Sequence, residues 1–246
     1  MRDAAASRPA GEPRLAGVAA LVADASRARM LSYLLGGEWA SAGELARAAS
    51  VGAATASAHL ARLLDAGLLA DERRGRHRYY RLADGEVAHA LEALALVAER
   101  GSHGRQWASP AKARLRLARC CYGHLAGQLG VALLKALVER GWLADEADTG
   151  EFRVTPAGAD GLSALGLDGA DWQRRTARTG ARVAYGCLDW SERRDHLAGS
   201  LASALLQHFV AQGWLRRRDG ERSLVVTPPG RQALAAWGLW SEPPAA

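Results

Sequence analysis

Apolar residues recur at three- and four-residue intervals along the first hundred positions, then briefly switch to alternation. Leu15, Val18, Leu21 and Val22 fall on one helical face. Met30, Leu31 and Leu34 make a second face after Asp24, a residue suited to capping. Gly36–Gly37 ends that helix. Ser41 followed by Glu44 is a capping box that opens a third helix and turns Leu45 and Ala46 inward. Ser50–Gly52 makes a turn, and a fourth helix from about Ala53 to Ala66 has Ala56, Leu60, Leu63 and Leu64 on its core face, with Gly67 as its stop. Leu68–Arg73 and Arg76–Leu82 alternate like paired strands across Arg74–Gly75. Asp84 caps a last helix to about Arg100, with Val87, Leu91, Leu94 and Val97 on one side.

The second half contains a repeat. With His124 placed over His196, an ungapped offset of 72 residues aligns His-Leu-Ala-Gly, Gly-Trp-Leu (141–143 and 213–215) and Val-Thr-Pro-x-Gly (154–158 and 226–230), and ends at Gly166-Leu167 over Gly238-Leu239. A register held for over forty residues marks a duplicated unit. Each copy reads helix, turn, helix, Gly-Trp-Leu, hairpin, Thr-Pro-x-Gly, helix.

These patterns predict a mainly α protein with small β-hairpin wings. A tail at 1–14 precedes a winged helix-turn-helix domain at 15–100, and a linker spans 101–109. A duplicated domain follows at 110–240, built from two winged-helix-like repeats (about 115–167 and 187–239) packed as a pseudo-two-fold pair, with a tail at 241–246. A chain of 246 residues accommodates about two domains of ~100–200 residues each.

Composition adds less than it first promises. The net charge of +6 and pI near 9.7 suit a nucleic-acid partner. The chain nevertheless has no Ile, no Asn and only two Lys, the mark of a GC-rich coding sequence, so arginine informs by position rather than by number. No apolar run approaches the roughly 18 residues of a membrane span. Residues 1–14 lack an apolar signal core, so the expectation is a cytoplasmic protein without a membrane partner. Three cysteines do not make a disulfide framework.

Within 15–100, the carriers Asp24-x-x-Arg27-x-x-Met30-Leu31, Glu44-Leu45-Ala46, Thr55-x-Ser57-x-His59-Leu60-x-x-Leu63-x-x-Ala66-Gly67-Leu68 and Arg74-Gly75-Arg76-x-x-Tyr79-Tyr80-x-Leu82 resemble the ArsR/SmtB-type winged-helix transcription regulators. The resemblance covers about a third of the chain. It implies a homodimer joined through its first and last helices, binding an inverted repeat in double-stranded DNA and repressing transcription.

The residues agree independently. Thr55 and Ser57 are placed for phosphates or base edges, Ala54 and Ala58 for thymine methyls, and His59 and Arg62 for longer reach. Arg74, Arg76, His77 and Arg78, with Arg73 and Arg81 beside them, crowd a wing suited to phosphates or the minor groove. No Gly-x-Gly-x-x-Gly loop, P-loop, His-Glu-x-x-His or nucleophile elbow is present, so an enzyme is not expected.

The family's metal sites are missing. No cysteine lies near Arg47–Ala49, and Glu86, His89 and Glu92 read as a solvated charged face. Candidates for sensing lie in the repeats. Cys120 and Cys121 precede His124 by four and three residues, which puts either thiol on the imidazole's face of a helix, and Cys187 precedes His196. A thiophilic metal or metalloid held by these five residues, a redox-reactive thiol and plain packing all remain open. So does a small molecule near Tyr122, Tyr185, Trp190 and Arg193. Arg114, Arg116 and Arg119, like Arg174, Arg175, Arg178 and Arg182, read as solvated surface. The expected function is a DNA-binding repressor released by an effector acting on the C-terminal domain. The alternatives are a constitutive DNA-binding protein whose second domain oligomerises, and an enzyme that uses the winged helix for dimerisation.

Overall fold

Helices α1 (Leu15–Val22) and α2 (Ala25–Leu34), a short strand β1 (Ala40–Ser41), helices α3 (Ala42–Ala49) and α4 (Ala53–Asp65), the hairpin β2 (Leu69–Arg74) and β3 (His77–Leu82), and helix α5 (Gly85–Ala98) form the first domain. The computed structural model describes residues 15–100, 109–147, 149–167, 169–180 and 182–240. The tails expected at 1–14 and 241–246 and the linker at 101–109, apart from Ser109, lie outside the described residues, as do the side chains of Arg175 and Arg178.

Local chemistry sets the boundaries. Asp24 accepts from the Ser26 and Arg27 amides, Ser41 and Glu44 cap each other reciprocally, and Asp84 accepts from the Val87 amide. Met30, Leu31, Leu34, Leu45, Leu60, Leu63 and Leu82 are buried together as the core. Strand β1 is too short to leave an alternating signature. It pairs Ala40 with Tyr80 and Ser41 with Tyr79, giving a sheet of order β1-β3-β2. The wing turns one residue later than its sequence predicts, with Arg74 opposite His77 and Gly75 at φ 61°.

The C-terminal half runs α6 (Pro110–Leu117), β4 (Arg119–Cys121), β5 (His124–Ala126), α7 (Gln128–Glu139), β6 (Leu143–Glu146), β7 (Glu151–Val154) and α8 (Pro156–Ala164). The order then recurs as α9 (Gly169–Thr179), β8 (Tyr185–Leu188), β9 (Asp195–Ala198), α10 (Ser200–Ala211), β10 (Leu215–Arg217), β11 (Leu224–Val226) and α11 (Pro228–Ala236). One expectation is corrected here. Cys120, Cys121 and His124 do not lie on a helix, and neither copy opens with a helix-turn-helix. Tyr122 and Gly123 both adopt positive φ, 46° and 92°, which is the backbone of a tight two-residue hairpin turn. Arg-Cys-Cys and His-Leu-Ala then become opposing strands.

The two units complete each other's sheets. The Cys120 amide donates to the Arg222 carbonyl (2.8 Å) and the Leu224 amide to the Ala118 carbonyl (2.9 Å). Reciprocally, the Gly186 amide donates to the Gly150 carbonyl (2.9 Å) and the Phe152 amide to the Ala184 carbonyl (3.0 Å). Leu129, Leu133 and Leu137 of α7 share one core with Leu201, Leu205 and Phe209 of α10. Among the described residues no helix is long and apolar enough to cross a membrane.

The Thr-Pro-x-Gly motifs are packing devices. Thr155 and Thr227 cap α8 and α11, and each hydroxyl also donates to a glycine carbonyl, of Gly141 and Gly213 respectively, at 2.6 Å. A Cβ on Gly158 would lie 2.1 Å from the Trp142 carbonyl oxygen, and one on Gly230 would lie 2.0 Å from that of Trp214. Gly158→Ala therefore lowers the stability measured by urea unfolding by about 1–3 kcal/mol. Gly43→Ala, whose new methyl meets nothing nearer than 3.7 Å, raises it by up to about 1 kcal/mol. A Gly158→Ala protein as stable as the parent would contradict this packing.

Candidate functional site

Helix α4 shows two faces. Ala56, Leu60 and Leu63 are buried, whereas Ala54, Thr55, Ser57, Ala58 and Arg62 are exposed in a row beside the wing. The Ser57 hydroxyl donates to the Ala53 carbonyl (2.9 Å). His59 is placed differently from the rest. Its Nδ1 lies 3.3 Å from the Arg27 guanidinium and its Nε2 lies 3.9 Å from Asp24. Arg27 is itself buried and donates to the Leu21 and Ala20 carbonyls. His59 thus fastens α4 to α1 and α2.

On the wing, Arg74, Arg76, His77 and Arg78 are all exposed. Arg74 pairs with Glu72 at 3.1 Å and lies over the Trp39 and Tyr79 rings, while Arg78 pairs with Asp71. Exposed pairs of this kind are weak against water and salt, so they order the guanidinium groups without withholding them from a stronger anion.

A second constellation lies where the two C-terminal units meet. Cys121 stands directly opposite His124 in the β4–β5 hairpin, and Cys187 directly opposite His196 in the β8–β9 hairpin. The hairpins face each other, so one ligand atom from each residue falls within 4.8 Å of all the others, with all four side chains buried. The imidazoles touch through their Nε2 atoms at 3.1 Å. Alternation sends Cys120 the other way, and its thiol contacts the Gly36 carbonyl at 3.0 Å, apart from the cluster.

The cluster is backed by buried charge. Asp189 lies in the loop that only the second hairpin has. It accepts from the Gly127 amide (2.7 Å) and the Ser191 and Glu192 amides, and lies 3.3 Å from His196 Nδ1 and 2.9 Å from Arg119. Arg119 is fully buried, stacks on Trp190 (4.6 Å) and reaches toward Glu92 of α5 at 3.7 Å, while Arg222 pairs with the other Glu92 oxygen.

Both carboxylates titrate low despite their surroundings. Burial opposes the charge on Asp189, but the His196 ring and the Arg119 guanidinium beside it outweigh that and hold it well below the carboxylate range. Glu92 behaves likewise, with Arg222 and Arg119 overcoming burial. Burial opposes the imidazolium of His196, yet Asp189 and Cys121 raise its pKa to about 9. The Cys121 thiol is pushed up to about 12 by its contact with Cys187 and by burial.

Two surface expectations are therefore corrected. Glu92 is not on a solvated face, because α5 lies against β8 and buries that side of the helix, where His89 also meets the Tyr185 ring at 5.6 Å. Arg119 is not solvated either, because its strand runs inside the junction. Arg114 and Arg116 pair with Glu221 and Glu192 near the surface. Arg119, Asp189 and Arg222 carry no motif that marks them as partners.

Tyr122, Tyr185, Trp190 and Arg193 do not share a cleft. Tyr122 packs against the winged-helix core, Tyr185 lies 3.5 Å under Arg182, Trp190 is buried under Arg119, and Arg193 is exposed. Two clefts of about 290 and 410 Å³ are lined by other residues, Phe152 and Trp172 in one and Gln128 and Lys135 in the other.

Residues 22–72 match the family model of a helix-turn-helix domain. The chain is 41% identical over 222 residues to the uncharacterized HTH-type transcriptional regulator YdfF of Bacillus subtilis (strain 168), covering 90% of this chain and 96% of the relative. Among solved structures it is similar to the homodimeric winged helix-turn-helix DNA-binding domain of a possible ArsR-family regulator from Mycobacterium bovis, with 28% identity, a TM-score of 0.34, and 39% of this chain and 96% of that one covered. It is also similar to a cadmium metal-sensor of Mycobacterium tuberculosis, with 34% identity, a TM-score of 0.30, and 34% and 86% covered.

The buried charges make a stability prediction. Arg119→Met strips Asp189 of its cation and costs about 3–5 kcal/mol in chemical unfolding, as expected when one member of a buried ion pair is removed. A loss below about 1 kcal/mol, the size of an exposed pair, would contradict the assignment.

Proposed function

The chain belongs to the HTH-type transcriptional regulators, and from that premise we propose that it is a homodimeric repressor binding an inverted-repeat operator and released by an effector at the C-terminal domain. It acts in the cytoplasm, where its three free thiols stay reduced. The observation that carries the reading is the exposed row Ala54, Thr55, Ser57, Ala58 and Arg62 on α4, flanked by the Arg74–Arg78 wing. Such a helix enters the major groove while the wing follows phosphate.

Dimerisation is supported by surface that one chain leaves uncovered. Every residue of α1 is apolar or glycine and none is buried. Leu15 is 74% exposed, and on α5 Leu94 and Val97 are 49% and 52% exposed. These are the first and last helices of the domain, the pair through which the resembled family dimerises. A second copy of the chain is the occupant that would present two recognition helices to half-sites about 34 Å apart.

Effector action is supported by the contacts between the halves. The Tyr122 amide donates to the Leu35 carbonyl (2.6 Å), Gly37 abuts Gly123 backbone to backbone, and Glu92 of α5 is gripped by Arg222. A change at the β4–β5 hairpin therefore meets both the end of α2 and α5.

Fluorescence anisotropy with an operator fragment tests the DNA reading. Arg76→Ala and Arg62→Ala each weaken binding, and Arg76→Ala lowers the slope of log affinity against log salt by about one. Unchanged affinity and slope in both variants would remove the assigned surface. Sedimentation tests the dimer: Leu94→Asp combined with Val97→Asp gives a folded monomer, and a double variant that still sediments as a dimer would overturn the interface.

A further inference from the structure

The geometry points to a closed zinc site formed by Cys121, His124, Cys187 and His196, in which the ion joins the two C-terminal hairpins. Four donors of the two kinds that zinc favours converge there, all within 4.8 Å of one another and all buried. Tetrahedral zinc binds sulfur at ~2.3 Å and imidazole nitrogen at ~2.0–2.1 Å, so closing onto an ion asks the donors to shift by well under a side-chain length. Each hairpin supplies one thiol and one imidazole as a cross-strand pair, which fixes two donors per unit before any ion arrives.

The surroundings match a ligand set rather than ordinary packing. Both imidazoles turn Nε2 inward, 3.1 Å apart, and the outer nitrogen of His196 faces Asp189 at 3.3 Å. A carboxylate behind a ligating histidine fixes its ring orientation and strengthens it as a donor. Asp189 is in turn pinned by three backbone amides and Arg119, so this backing is rigid.

Charge selects the ion. Arg119 and Arg222 balance Asp189 and Glu92. A divalent ion with two thiolates and two neutral imidazoles adds nothing to that balance. A monovalent ion would leave a buried negative charge and a trivalent one a buried positive charge, each costly inside a protein. On binding, the two thiol protons leave to solvent, each imidazole offers an unprotonated Nε2 with its proton on Nδ1, and four metal–ligand bonds form without change of oxidation state. Cys120 takes no part.

The assignment stands apart from the DNA reading, because its test reads the metal alone. Full-length protein, reduced and stripped with a chelator, is titrated with Zn2+ and separately with Co2+, whose visible bands and thiolate charge transfer report tetrahedral sulfur coordination. Wild type and Cys120→Ser bind one equivalent per chain and give the tetrahedral spectrum. Cys121→Ser and Cys187→Ser lose the charge-transfer band in part and bind at least 100-fold more weakly, and His196→Gln likewise weakens binding. Circular dichroism identifies any variant that fails to fold, and the wild-type titration decides independently of them. A wild-type protein that takes up no ion, or one equivalent bound equally well by the Cys121→Ser/Cys187→Ser double variant, overturns the site.

Discussion

A single buried carboxylate, Asp189, ties the C-terminal half together. It accepts amides from its own loop and from Gly127 of the other unit, and it neutralises Arg119 and faces His196. Burying a charge is tolerable when it is paired and its remaining lone pairs are occupied, and Asp189 meets both conditions from groups on both units. The two units differ at this point. The first hairpin turns through Tyr122–Gly123 alone, while the second carries the longer loop that supplies Asp189. The inserted loop is what orders the junction.

From that junction the charge chain continues into the DNA-binding half. Arg119 and Arg222 converge on Glu92, so α5 is held on one side by buried ions while Leu94 and Val97 remain free on another. The Tyr122–Gly123 turn, flanked by Cys121 and His124, rests against Leu35 and Gly37 at the end of α2. One helix therefore carries both the uncovered apolar face and the grip of the C-terminal domain. Packed side chains and buried ion pairs of this kind can carry coupling between sites.

The winged helix was legible because its signals are local. Asp24, the Ser41–Glu44 box and Asp84 each cap the helix they open, and the α4 face at Ala56, Leu60 and Leu63 keeps helical spacing. The constant 72-residue offset is visible in the sequence, and the order helix, hairpin, helix, hairpin, helix recurs along it. The secondary structure at Cys120–His124 could not be read, because three residues on each side of a turn are too few to separate a strand pair from one helical turn. Tyr-Gly at the turn was the available signal. Arg119 and Glu92 escaped for another reason. Their burial depends on partners far away in sequence, 72 residues from Arg119 to Ser191 and 130 from Glu92 to Arg222, and a charged residue with no local partner reads as solvated.

The proposed effector action makes the C-terminal junction govern the affinity of the winged helix for DNA. It is tested by the operator dissociation constant of the full-length protein, metal-free and loaded with one equivalent of zinc per chain, at fixed salt. The loaded protein is expected to bind about 5–150-fold more weakly, the usual size of coupling between two sites. Equal affinities in a protein shown to hold the ion would contradict it.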